Sequence, residues 1–399
     1  MIDCTKALIQ KRSMNDILKR KVFDRFKSEF KTDPLLIFSP GRINLIGEHT
    51  DYNLGFVFPA AIDKGIYLAI GFSSKLSKVI SLDMDSSIEF SSKEKLLPLS
   101  DGGWKNYLLG VVEFIKNGDK LPSEFNMIFG GDIPIGSGLS SSAALENGIG
   151  YALNECFGLG KTKLELLKIS QKAEHDFVGV RCGIMDQFAS MMGEKDQAIL
   201  LDCSNLESTL FPVALEGYSI VLLNSNVDHN LAGSEYNKRR EECEEGVAIL
   251  QKYFPSVKTL RDVTMEMLEQ HKMKFTPVVL NRCEYILEEN ERVQQFGTML
   301  SKNEPVSIGE ILYQGHEGMK NKYEITCKEL DFLVDYTKSF PDVLGARMMG
   351  GGFGGCTLNI VKVDFVDEFV NSISTSYNHQ WGLNLTPISV EISDGVGLI

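Results

Sequence analysis

Apolar positions recur at helical spacing across residues 15–30, where Ile17, Leu18, Val22, Phe26 and Phe30 mark one face. That spacing predicts an amphipathic helix. "PLLIFS" follows as a strand ending at Pro40-Gly41, and "GIYLAIGFS", "KVISLDM" and "EFNMIFGGDI" read as further strands. Residues 141–157 are small, apolar and rich in helix formers, and residues 162–177 form a second such helix. "YSIVLLNS" is a strand, residues 234–253 are charged and periodic, and Pro255 marks the stop of their helix. Residues 258–340 read as mainly helical. After the glycines at 350–355 come a strand "CTLNIVKV", a short helix "FVDEFVNSISTSY" and a last strand "PISVEIS".

Strands and helices mix without the steady alternation of a barrel. The expected fold class is therefore α+β, as a pair of domains with a cleft between them. A chain of 399 residues suits two domains. No repeat or low-complexity linker marks a boundary, and the softest cut lies near residue 200, giving 1–200 and 201–399. A formal net charge of -13 argues against a nucleic-acid partner, which needs a basic footprint. It leaves room for a phosphate-handling enzyme with a few local donors. The N-terminus has no apolar core for a signal peptide, and no run reaches membrane-spanning length. Eight cysteines without a close pair read as reduced thiols. A cytoplasmic protein without disulfides is expected.

Three glycine-rich stretches carry candidate chemistry. "FGLGKTK" (157–163) resembles the end of a P-loop, but Glu155 stands where the first glycine belongs, so it reads as a helix stop and start. "PIGSGLSSSA" follows a strand and opens a helix. Gly136 and Gly138 permit turns that aim N–H groups one way, and the helix start adds orphan donors. The three consecutive serines, Ser140, Ser141 and Ser142, add hydroxyls to this anion nest; the alternative is a flexible loop with a serine N-cap. "MMGGGFGGC" (348–356) implies close backbone approach to substrate, nucleotide or the 136–142 loop, or else a sharp turn.

The acid–base candidates lie in "AEHDFVGVRCGIMDQF". Asp186 sits in an apolar, glycine-bearing stretch and needs a partner, a metal or a substrate hydroxyl. The alternative role is an N-cap for a helix starting at Gln187. Arg42, just past Pro40-Gly41, is the expected partner across the cleft. Glu48, His49 and Asp51 offer acceptors suited to the hydroxyls of a sugar. The same cluster also suits a calcium or zinc ion; against zinc, His49 is the only nitrogen ligand there and no cysteine is near. The remaining histidines read as surface or satisfied core, with His175 nearest the site.

Taken together, "PGRINLIGEHTDYNLG", "PIGSGLSSSA", "CGIMDQFAS", "GSEYNKRREEC" and "GGGFGGC" resemble the GHMP small-molecule kinases, and within them the galactokinase family. The matches run in family order from about Phe38 to Cys356. The resemblance implies two α+β domains, the first like ribosomal protein S5 domain 2, with the site in the cleft. It implies transfer of the γ-phosphoryl of ATP to the 1-hydroxyl of galactose. Asp186 and Arg42 would be catalytic. Glu48, His49, Thr50, Asp51, Gly183 and Tyr236 would bind the sugar. Gly136 to Ser142 would hold the phosphates, and Ser142 with Glu174 would hold Mg²⁺. Family members are commonly monomeric, though some dimerise. Departures are Met349, where the family usually has threonine, and His175-Asp176 after the retained Glu174. Asp228 and His229 lie in a segment that varies. Alternatives are a related kinase for N-acetylgalactosamine or arabinose, or a non-catalytic galactose sensor. The complete "GLSSSAALE" speaks against the sensor.

Overall fold

The structure, a computed structural model, describes residues 4–116, 121–134, 136–227 and 232–399, with side chains from residue 16 onward except at 232–234. Asp228 and His229 lie outside the described residues.

The first helix runs Cys4–Phe30, longer than its periodic part. Val22 and Phe26 are fully buried, whereas Ile17 is exposed, because it stands one residue off the packed stripe of Leu18, Val22, Phe26 and Phe30. That sheet has six strands, in the order Gly397–Leu398, Leu35–Asn44, Pro59–Ser73, Glu124–Gly131, Ser77–Ser81, Ser86–Phe90. All neighbours are antiparallel except the last-named inner pair, Ser77–Ser81 with Glu124–Gly131. Helices Trp104–Ile115, Ser141–Phe157 and Lys163–Ala173 pack on it around a core including Leu68, Leu108, Phe125 and Leu153. The helix at 104–115 is absent from the sequence reading.

One irregularity in this sheet matters for the site. Pro40 pairs with Gly65 but Arg42 pairs with Ala61, so residues 62–64 stand opposite residue 41. Such bulges re-aim the chain beside a functional site. Gly41 is required there, since a Cβ would lie 2.5 Å from the Leu139 carbonyl.

A second sheet has four antiparallel strands, Val343–Met349, Cys356–Lys362, Tyr218–Asn224 and Thr386–Ser389. Helices Ala232–Gln251, Pro277–Lys302, Lys328–Thr337 and Val366–Trp381 contribute to the core on it. A third apolar cluster joins Ile43 of the first sheet to Leu358 of the second, with Phe58 and the helical Phe296 packed among them. After "PISVEIS" the chain does not end as expected: Gly397–Leu398 returns to pair with Leu35–Asn44. "FGLGKTK" is the stop and start it resembles. Gly158 caps one helix in the left-handed region, and Thr162 with Glu165 forms a capping box for the next.

Candidate active site

Two of the three glycine-rich stretches, 136–142 and 348–356, meet. Gly138 and Gly350 approach so closely that a Cβ on Gly350 would lie 3.3 Å from the Gly138 carbonyl. Beside them is a cavity of about 140 Å³, lined by Arg42, Glu48, His49, Asp51, Glu174, Cys182, Gly183, Asp186, Tyr236, Gly350 and Gly351 among others.

Arg42 and Asp186 form the expected pair, Nε to Oδ1 at 2.8 Å. Arg42 also donates from Nη1 to the Gly138 carbonyl, which ties the pair to the serine loop. Arg42 is 3 % exposed, and the Asp186 side chain 28 %, so the carboxylate reaches the cavity. The N-cap alternative for Asp186 is not realised. The helix begins at Met185 with Ile184 at its cap position, and the second oxygen of Asp186 accepts from Ser140. Ser140 itself lies in the left-handed region, φ 58°, and does not cap the following helix with its hydroxyl. A non-glycine residue held there costs about 1 kcal/mol, and such strain gathers at functional sites.

Glu48 and His49 hold the glycine loop as well as line the cavity. Glu48 accepts from Asn44, from the guanidinium of Arg347, and at 2.9 Å from the Gly350 amide. Of its roughly four acceptor positions one remains, on Oε1. His49 lies 3.1 Å from the Gly351 carbonyl and 2.8 Å from the Tyr52 hydroxyl. Burial pushes its pKa down to about 3, so the ring is neutral. Asp51 faces the cavity, anchored by the Tyr52 amide at 2.9 Å. Burial, then repulsion by Asp186, raises its pKa to about 6. Gly183 sits against it, where a Cβ would lie 1.9 Å from Asp51 Oδ2. Tyr236 is an aromatic wall, its ring 4.9 Å from that of His49. Thr50 is elsewhere: its hydroxyl bonds the carbonyls of Gly47 and Phe56, away from the cavity lining.

In the serine loop, Ser137 bonds its hydroxyl to the Pro134 carbonyl, and Leu139 enters the shared core. Gly136 and Gly138 have φ 73°. Ser141 borders a second cavity of about 400 Å³, lined also by Ile66, Ser81, Met84, Phe129 and Ile133. Ser142 stands beside Glu174, which a π-turn, Glu174–Val178, places inward, where it accepts from Gln187 at 2.7 Å. Burial, then the charge of Asp186, raises Glu174 to about 7. Glu146 stands behind it, fully buried and held well above the ordinary carboxylate range by desolvation and by Glu174. His175 donates to the Cys182 carbonyl at 2.8 Å and so anchors the loop carrying Gly183.

Among the described residues lining the cavity, Arg42 is the one cation beside Glu48, Asp51, Glu174 and Asp186. Among the described residues no cluster of three or more His, Cys, Asp or Glu side chains is arranged to hold a metal. The donor set of one hydroxyl and one carboxylate instead suits Mg²⁺, which takes one or two protein ligands and completes its shell with phosphate and water.

The sequence reading missed Arg347 and Glu289. Arg347 is fully buried, and Glu48 and Glu289 hold its charge against the cost of burial. Glu289 accepts from the Gly47 amide at 2.9 Å. The available signal was a lone arginine in the apolar run "VLGARMMG", which demands a buried partner. Met349 is buried, and its sulfur accepts from the Asn44 amide at 3.4 Å.

Comparison with known proteins agrees with this geometry. Residues 24–72 match the galactokinase galactose-binding signature, residues 106–194 the GHMP kinase N-terminal domain, and residues 299–373 the GHMP kinase C-terminal domain. The chain is 43% identical over 359 residues to a galactokinase of Thermotoga neapolitana, covering 90% of this chain and 98% of that one. It is 42% identical to a galactokinase of Clostridium acetobutylicum, covering 93% and 97%. The crystal structure of Lactococcus lactis galactokinase complexed with galactose superimposes with TM-score 0.89 at 34% identity, over 94% of this chain and 98% of that one. A Methanococcus jannaschii mevalonate kinase shares the fold at TM-score 0.68 and 16% identity, over 91% of this chain and all of that one. A two-domain α+β kinase fold, the paired Arg42 and Asp186, and this identity over nine-tenths of the chain show that it belongs to the galactokinase family of GHMP kinases.

Proposed function

We propose that this chain transfers the γ-phosphoryl group of ATP to the 1-hydroxyl of α-D-galactose, giving α-D-galactose 1-phosphate and ADP. The observation that carries the reading is the Arg42–Asp186 pair at the junction of a small polar cavity and the serine loop. Asp51, Tyr236 and the remaining acceptor of Glu48 hold sugar hydroxyls, and Gly183 lets the chain approach them. Asp186 accepts a hydrogen bond from the 1-hydroxyl and takes its proton as the new O–P bond forms, late in a loose transition state. Ser140 and Arg42 fix both oxygens of that carboxylate. Arg42, permanently charged, offsets the negative charge on the group in transfer. Backbone amides from Gly136 to Ser142 cradle the phosphates at the helix start. Ser142 and Glu174 would hold Mg²⁺, which supplies neutralisation of phosphate charge when bound. The second cavity, at the start of the serine helix, suits the nucleoside.

The two hydrophobic cores support a division near residue 200, with the final strand returning to the first domain. No described helix is long and apolar enough to cross a membrane, and the described cysteines from Cys156 to Cys356 are free thiols; both accord with a cytoplasmic setting. The chain then works as a monomer or dimer on small molecules alone. The test is an ADP-release assay across galactose, N-acetylgalactosamine, glucose, arabinose and mevalonate, with and without Mg²⁺. Metal-dependent release with galactose far above the others supports the reading. Release with any other acceptor at higher kcat/KM overturns it.

A further inference from the structure

Behind the sugar cavity runs a line of hydrogen bonds that the phosphoryl-transfer scheme does not use. Cys243 Sγ lies 3.2 Å from the Tyr323 hydroxyl. That hydroxyl lies 2.7 Å from the Tyr52 hydroxyl. Tyr52 in turn lies 2.8 Å from His49 Nδ1, and His49 Nε2 lies 3.1 Å from the Gly351 carbonyl. Cys243 and Tyr323 are buried away from the cavity, one on helix Ala232–Gln251, the other closing a π-turn, Met319–Tyr323.

The direction of every bond follows from the far end. A carbonyl only accepts, so Nε2 of His49 carries the proton. The ring is neutral, so Nδ1 is an acceptor, and Tyr52 donates to it. A hydroxyl has one hydrogen, so Tyr52 must accept from Tyr323, and Tyr323 from the Cys243 thiol. The line therefore has one consistent polarity from the second domain to the glycine loop, and bonds in such a line strengthen one another. His49 is held in the left-handed region, φ 62°, a strained backbone that persists only where surrounding contacts fix it.

We propose that Tyr323 is a positioning residue of the sugar site, which acts through Tyr52 to lock His49 as the donor to the Gly351 carbonyl and so sets one wall of the cavity. This rests on the sugar reading of that cavity. Tyr323→Phe removes the hydroxyl and keeps the ring packed on Tyr285, 4.5 Å away. Of the two bonds its hydroxyl makes, the one to Tyr52 bears on the sugar wall, and its loss predicts that KM for galactose rises about three- to tenfold. The kcat and the KM for ATP stay within twofold. A merely structural role would lower kcat or raise both KM values. Ring ¹⁵N signals of His49 give a readout independent of turnover. In the unmodified protein Nε2 is protonated and Nδ1 is not; in Tyr323→Phe the Nδ1 signal moves toward that of an unbonded nitrogen. An unchanged galactose KM, a kcat that falls in step with kcat/KM, or unchanged ring signals would overturn the proposal. If the unmodified enzyme fails to turn over galactose, the function reading fails instead, and the ring signals still decide the relay.

Discussion

Gly183→Ala is the sharpest perturbation of the sugar site. A Cβ at this position would stand 1.9 Å from Asp51 Oδ2 and 2.1 Å from its carboxyl carbon, against an ordinary contact of 3.4 Å or more. About 1.5 Å of movement is therefore needed. Asp51 cannot swing aside cheaply, because the Tyr52 amide holds its other oxygen at 2.9 Å. The loop cannot retreat freely either, because His175 grips the neighbouring Cys182 carbonyl at 2.8 Å. A misplacement of about 1 Å at a reacting site costs on the order of 10²-fold in rate. The expected loss in kcat/KM for galactose is thus about 10²-fold, or ~2.7 kcal/mol. The KM for ATP should hold within twofold, since the serine loop is untouched. Coupled ADP release reads both constants. Gly150→Ala is the control: in helix Ser141–Phe157 its Cβ meets only ordinary contacts, at 3.7 Å and beyond. A Gly183→Ala enzyme within threefold of the unmodified kcat/KM would refute the argument from close approach.

Further outcomes follow from the same geometry. Asp186→Asn should lower turnover about 10²- to 10⁴-fold while ATP binding, followed by calorimetry, stays within a few-fold. Glu174 and Asp51 have folded-state pKa values raised to about 7 and about 6 from 4.5 and 3.8. Their contribution to stability is fully present below the unfolded values and is lost as pH rises through the folded ones. Glu174→Gln should therefore flatten the fall in melting temperature of the metal-free protein between about pH 4.5 and 7, measured by thermal scans. A parallel fall in both proteins would count against the raised value. Arg347→Met leaves Glu48 buried with an unpaired charge, so denaturant unfolding should show a loss of about 3–5 kcal/mol.

Much of this site was readable in the residues, because its chemistry is concentrated in short segments. Pro40-Gly41 announced a break in a strand, and Arg42 beyond it pairs with Asp186 as expected. The glycines at 350–355 implied a close approach, and they meet the 136–138 loop. What stayed hidden depends on contacts across hundreds of residues. Arg347 reaches Glu48 from 299 positions away, and no local period encodes that register. Ser140 read as one of three loop hydroxyls, yet its left-handed backbone turns it onto Asp186. Thr50 was grouped with its neighbours in the motif, but its hydroxyl serves the turn. The helix at 104–115 and the two-residue strand at 397–398 escaped for a different reason. The first lies in a stretch that the periodic reading left blank, and the second is defined only by its partner strand.

The hydroxyl that receives the phosphoryl group distinguishes this chemistry from any other sugar kinase reaction or from ATP hydrolysis. Phosphorus and proton NMR of the product formed from galactose, ATP and Mg²⁺ identifies it most directly. The expected product is a single sugar phosphate with phosphorus coupled to the anomeric proton in the α configuration. Phosphate on any other hydroxyl, or ADP release with free phosphate and unchanged sugar, would contradict the proposed function.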